Sequence, residues 1–153
     1  MSVNAFIYTL INIYNYYKTK NIFINKGLFK NKYLIIFMII HKKYVVPEYF
    51  DYIKNNQKTC YINLNIGSFS EMKKGDIIIW FYNNNENEEQ SIKTQITKIR
   101  KFKSFYNGIK NCRLKNIYPN LASIQEALHL LLNSNENDEK NYGVICIEFS
   151  VMV

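Results

Sequence analysis

Gln57-Lys58-Thr59-Cys60-Tyr61-Ile62-Asn63-Leu64-Asn65-Ile66 is the stretch on which the fold turns. Cys60, Ile62, Leu64 and Ile66 alternate with Thr59, Tyr61, Asn63 and Asn65. Successive side chains of an extended chain point to opposite faces, so this period of two predicts a strand with a core face and a polar face. The polar face sets out a hydroxyl, a phenol and an amide, with the Lys58 ammonium at the strand's start. Such groups hydrogen-bond a base edge and neutralise a phosphate. By spacing alone the better reading is an ordinary solvent-facing strand.

Upstream, Pro47–Lys54 predicts a helix with proline at its first position and acids in its early turns. Asn55-Asn56 ends it, because Asn tolerates the left-handed conformation of a C-cap. Lys43–Val46 before it reads as a short strand. Downstream, Lys74-Gly75-Asp76 is a turn and Ile77–Tyr82 an unbroken apolar strand, expected to be buried on both faces. Asn83–Gln90 is an acidic loop. Ser91–Arg100 is a strand in which Ile92 and Ile96 are in register and Ile99 is not, which predicts a bulge. Ser104 precedes a weak helix over Phe105–Arg113. Ser123-Ile124-Gln125-Glu126 is a capping box opening a helix that buries Ile124, Leu128, Leu131 and Leu132. After the acidic loop Asn133–Asn141, a last strand puts Ile145, Ile147, Phe149, Val151 and Val153 on one face.

The order is β-α-β-β-β-α-α-β. It predicts an α+β domain built on a small barrel or strongly curled sheet of five strands, with helices at its ends.

Composition sets the outer limits. The 153 residues carry 20 Lys and Arg against 12 Asp and Glu, a formal charge of +8, and 48% are hydrophobic. That excludes a disordered chain and fits one domain, or a domain with an extension. Ile, Asn, Lys and Tyr make up half the chain while Arg occurs twice, the bias of an AT-rich genome such as that of a large DNA virus or a protist. Lys-rich runs must be discounted for that bias.

Cys60, Cys112 and Cys146 are widely spaced, with no CxxC and no adjacent His, which argues against a disulfide framework and against a zinc site. With two histidines in the chain, no multi-His centre is expected, and we expect no metal and no cofactor. The chain has no glycosylation sequon, and the expected location is intracellular, cytoplasmic or nuclear. GxGxxG, P-loop, HExxH and GxSxG motifs are absent.

Residues 1–37 stand apart, with five lysines and no acid. We read them as an N-terminal extension and 38–153 as the domain. Three accounts of the extension stay open: a membrane-surface helix, a packed helical extension, or an upstream read-through with Met38 as the initiator. The longest apolar run, Tyr33–Ile40, is eight residues. A spanning helix needs about 20, so no transmembrane segment is expected.

From Lys98 to Lys115 run seven cations without an acid, interleaved with Phe102, Phe105 and Tyr106. Cations neutralise phosphates while aromatic faces stack on bases, so the mixture suits single-stranded nucleic acid. A solvated Lys-rich surface over a buried aromatic core would look the same.

The run Tyr49–Thr59 resembles the opening signature of ASCH domains, a branch of the PUA-like superfamily. In those, a helix ends in a Gly-x-Lys-Thr turn and leads to a strand with an acid and an Arg. Lys73–Phe81 is similar to the family's Lys-x-Gly-Asp-x-Ile-x-Phe strand, and Phe102-Lys103-Ser104-Phe105 to the start of its middle helix. Ile117-Tyr118-Pro119, Glu126-Ala127 and Tyr142–Ile147 resemble its closing half. The resemblance covers Lys42 to Val153 in order. It implies a PUA-like β-barrel of about five strands with two to three flanking helices, a cleft beside them, and RNA or a modified nucleoside as partner.

Some ASCH members remove the acetyl group of N4-acetylcytidine and some are ribonucleases. In the amidohydrolases a Lys of the turn, a Thr three residues on and a later Glu carry the chemistry. Here Lys58 is present, Tyr61 replaces the Thr, and no Glu stands near Tyr118-Pro119. The strand's acid and Arg fall at Tyr61 and Asn63, so both charges are gone.

The expectation is therefore a non-catalytic RNA- or nucleoside-binding module. Its cleft would be lined by Lys58, Thr59, Tyr61 and Asn63. Lys98, Arg100, Lys101, Lys103 and Lys110 would form an electrostatic track. The alternatives are a divergent amidohydrolase or ribonuclease with Lys58 and Tyr61 as catalytic residues, and a protein-interaction module with a drifted cleft.

Overall fold

The computed structural model describes residues 22–29, 32–84, 86–132 and 138–152. The apolar run Ala5–Leu10, most of the second acidic loop and Val153 lie outside them. The chain divides into two compact units, Met1–His41 and Lys42–Val153.

In the first unit, β1 (Ile22–Phe29) and most of β2 (Lys32–Tyr44) pair antiparallel, from Ile22↔Ile39 to Phe29↔Lys32. Residues 22–29 and 32–37 of the extension are thus extended chain, and residues 1–21 lie outside the described residues. Ile and Phe recur in both strands and Tyr in β2, and β-branched and aromatic residues favour extended chain.

In the second unit, Pro47–Lys54 forms α1, Cys60–Leu64 β3, Ile77–Asn83 β4, Glu89–Phe102 β5 and Val144–Val151 β6. Between β5 and β6 come α2 (Phe105–Cys112), α3 (Leu114–Ile117), α4 (Ile124–Leu132) and α5 (Asp138–Tyr142). The strands run β4-β5-β6-β3 across the sheet, these neighbours all antiparallel, with the end of β2 beyond β4. Val45 N–H donates to Phe81 O at 2.9 Å beside that end. The five-strand α+β domain is as expected; its sheet is open rather than a closed barrel, with β3 as an edge strand.

The anticipated bulge lies between Ile96 and Lys98, where Ile96 pairs with Phe149 and Lys98 with Glu148. The extra residue turns the Lys98–Phe102 half over. Ser104 caps α2 by accepting from Asn107 N–H, and Ser123 Oγ accepts from Glu126 N–H at the start of α4. The Glu126 carboxylate accepts from Ala122 N–H rather than from Ser123.

Two cores sit on opposite faces of β6. Val144, Cys146, Ile62 and Leu64 pack against Phe105, Ile109, Ile117 and Ala127 of the helical layer. Ile145, Ile147 and Phe149 pack with Trp80, Ile78, Ile96 and the α1 residues Phe50 and Ile53. The strand buried on both faces is thus β6; β4 leaves Ile79 and Phe81 of one face, and Tyr82 at the end of the other, partly exposed. Within the second core the Trp80 indole N–H donates to Thr94 Oγ1 at 2.9 Å, and the Thr94 hydroxyl donates to Ile78 O.

One glycine sets the spacing of the layers. A Cβ on Gly108 of α2 would stand 2.8 Å from Ile62 Cδ1 and 3.1 Å from Cys146 Sγ. Only a residue without a side chain lets the helix lie this close to the sheet.

Candidate functional site

The turn from α1 to β3 delivers Lys58. Asn56 takes a left-handed φ of 56°, which Asn tolerates better than most residues. The N–H groups of Gln57 and Lys58 both donate to Tyr52 O, at 2.8 and 3.0 Å. Thr59 N–H donates to Asn116 O and Thr59 O accepts from Phe149 N–H, both at 3.0 Å. The backbone on either side of Lys58 is pinned before the side chain is considered.

That side chain runs inward and is 2% exposed. Its ammonium donates to Ile117 O, the one acceptor it finds among the described residues. Three tyrosine rings surround it, with Nζ 4.8 Å from the Tyr49 centroid, 5.0 Å from Tyr118 and 5.5 Å from Tyr61. Ring faces carry partial negative charge and attract the cation, more strongly where water is excluded. They supply no carboxylate. Burial accordingly pulls the Lys58 pKa down from 10.5 to about 8, against a smaller upward pull from Cys60. About one molecule in ten then holds the neutral amine at pH 7.

Above the ammonium opens a cleft of about 260 Å³. Lys58, Tyr61, Asn63, Tyr49, Tyr118 and Leu131 are among its lining residues, and Asp and Glu are not. It lies at the β3 edge where the two cores meet. Tyr118 belongs to the first core, Tyr61 packs on the second, and Tyr49 touches both. Tyr61 stacks on Phe69 at 5.5 Å between centroids and lies 5.1 Å from Trp80. Burial raises the Tyr61 pKa, partly offset by a hydrogen bond with Asn63. Burial also raises Tyr49 and Tyr118. The phenols therefore stay protonated and serve as donors. The neutral fraction of Lys58 is the basic group the cleft offers.

Lys58, Tyr61 and Asn63 line the cleft together, whereas Thr59, which the alternation grouped with Tyr61 and Asn63, is committed to backbone bridging and does not line it. Tyr49 and Tyr118 were not singled out by sequence. Tyr118 reaches the site through α3, and no periodicity announces that.

The basic stretch lies elsewhere: Lys98, Arg100, Lys101, Lys103 and Lys110 do not line the cleft. Lys98, Lys101, Lys103 and Lys110 are exposed. Arg100 is engaged, with its guanidinium paired to Glu148 and donating to Asn111 O at 3.1 Å. Lys115 donates to the carbonyls of Pro119 and Leu121, tying down the loop after α3.

With this geometry the likeness to known structures can be judged. Hypothetical protein PH0355 superposes with a TM-score of 0.65 at 26% identity, over 74% of this chain and 100% of its own. PF0455 from Pyrococcus furiosus gives 0.60 at 24% identity, over 74% and 98%. ZmASCH from Zymomonas mobilis, solved as a point mutant, gives 0.51 at 12% identity, over 72% and 68%. The fold is ASCH-like. No protein-family profile matches the chain, and no curated protein does. No helix among the described residues is long and apolar enough to cross a membrane. Within this ASCH-like frame the lysine of the α1–β3 turn lies at the floor of the cleft beside the helices.

Proposed function

We propose that the chain is an ASCH-like module that binds one base of an RNA, or a modified nucleoside, in the β3-edge cleft without turning it over. The carrying observation is the Lys58 ammonium. It is buried beneath three tyrosines at the floor of an open cleft, with one carbonyl for its three N–H donors. A ligand oxygen entering the cleft supplies the missing acceptor, and a charge-assisted bond formed out of water is a strong one. The Tyr rings offer stacking faces and Asn63 an amide for a base edge. The volume falls just below the roughly 300–1,000 Å³ of drug-sized sites, which suits a single base or nucleoside.

Exposed Lys98, Lys101, Lys103 and Lys110 supply the phosphate-neutralising track in this reading, while Arg100 keeps its partner Glu148. Fluorescence anisotropy with a labelled single-stranded RNA at rising salt, and calorimetry with cytidine and N4-acetylcytidine, test it. Saturable binding that Lys58→Ala removes is the expected result. Absence of RNA and nucleoside binding at 50 mM salt sinks the proposal and leaves protein interaction as the reading.

A hydrolase reading draws on one observation, the lowered pKa of Lys58. A neutral amine in the cleft can take a proton from water. Release of acetate from N4-acetylcytidine, or cleavage of RNA, lost in Lys58→Ala would favour that reading over simple binding.

A further inference from the structure

The three cysteines, far apart in sequence, meet in space. Cys60 on β3, Cys112 at the last position of α2 and Cys146 on β6 place their Sγ atoms within 4.8 Å of one another. All are free thiols, exposed by 1%, 2% and 0%. Gly108 makes the meeting possible, because it lets α2 close on Cys146 and Cys112 follows it one turn later on the same face. The expectation of no metal rested on sequence spacing, and spacing is not the relevant distance here.

We infer that this trio is a three-thiolate site for a soft monovalent metal ion, of which Cu(I) is the biological example. A point central to three atoms so spaced lies no more than about 2.8 Å from any of them, against a metal–thiolate bond of about 2.3 Å. Inward shifts of about half an ångström per sulfur therefore complete a trigonal site. Thiolate sulfur selects soft metals. Structural zinc takes four ligands, and among the described residues no fourth Cys, His, Asp or Glu joins the group.

On binding, the metal forms three metal–sulfur bonds and each ligating thiol gives up its proton to solvent, with no change in oxidation state. The Arg100 guanidinium, whose strand position pairs with Cys146, offsets part of the negative charge that results. Entrance is through the end of α2. Cys112 is its last residue and Arg113 beyond it has φ 66°, so the helix need unwind only at its terminus. The inference does not rest on the reading of the cleft.

The test is anaerobic titration of the full, reduced chain with Cu(I) held by a chromophoric chelator, followed by X-ray absorption of the loaded protein. Withdrawal of one equivalent per chain and three sulfur scatterers around copper are expected. Cys112→Ala and Cys146→Ala, checked for folding by circular dichroism, are expected to lose affinity by more than about tenfold. A chelator that keeps its copper overturns the site. So do two or fewer sulfur ligands, or undiminished affinity in a folded Cys112→Ala variant. Zn²⁺ binding as tightly as Cu(I) overturns the choice of metal. If the variants fail to fold, the wild-type titration and sulfur count decide alone.

Discussion

The Lys58 turn and the Lys98–Lys115 stretch are both basic, and the structure treats them in opposite ways. In the first, a single cation is buried, pinned on both sides by backbone hydrogen bonds and enclosed by three rings. In the second, seven cations disperse. Arg100 pairs with Glu148, Lys115 ties a loop, and Lys98, Lys101, Lys103 and Lys110 point to solvent. A site is made by convergence of a few groups, not by the number of charges along a segment. Exposed lysines at unconstrained positions provide long-range attraction and little geometry.

The comparison can be broken by substitution. Lys58→Ala has the largest expected effect, a loss of nucleoside and RNA binding by more than about tenfold in calorimetry and anisotropy, since a charge-assisted bond is worth about 1.5–3 kcal/mol. Retained affinity would place binding on the lysine track alone.

Lys58→Met keeps the stem and removes the charge, and it is expected to raise stability at pH 7 by about 1–3 kcal/mol. The sign follows from linkage. The folded-state pKa of about 8 lies below the unfolded 10.5, so between those values the unfolded chain binds more protons and wild-type stability rises with pH. The advantage of Met is therefore full below about pH 8 and fades toward 10.5, as urea melts of both proteins across that range will read.

Arg100→Met is expected to cost less than about 1 kcal/mol in the same melts, because the Arg100–Glu148 pair is partly exposed. It should leave RNA affinity within about twofold if the guanidinium serves Glu148 rather than phosphate. The smallest effect is that of Lys101→Gln, a decrease of about 0.7 in the slope of log affinity against log salt for single-stranded RNA. An unchanged slope would remove Lys101 from the track.

Local pattern revealed much of the second unit. The alternation over Cys60–Leu64, the helix begun at Pro47, the Ser104 and Ser123 caps and the bulge at Ile96/Lys98 all follow from side-chain period and backbone chemistry. Those are properties of neighbours in sequence. The cleft's Tyr118 and the meeting of Cys60, Cys112 and Cys146 depend on which strand lies beside which, and on how closely Gly108 lets α2 approach. No period in the chain carries that information. Burial of Lys58 was equally illegible, since a lysine at a strand's start is ordinarily solvated.

Trp80, the single tryptophan of the chain, has a consequence of its own. It is fully buried, its indole N–H is held by Thr94, and its ring lies 5.1 Å from Tyr61, which lines the cleft. The protein thus carries one indole, insulated from water and in ring contact with a residue of the cleft, and it can be excited apart from the 13 tyrosines at the long-wavelength edge of absorption. Emission excited at the indole will report any displacement of Tyr61, so occupancy of the cleft can be followed in unlabelled protein.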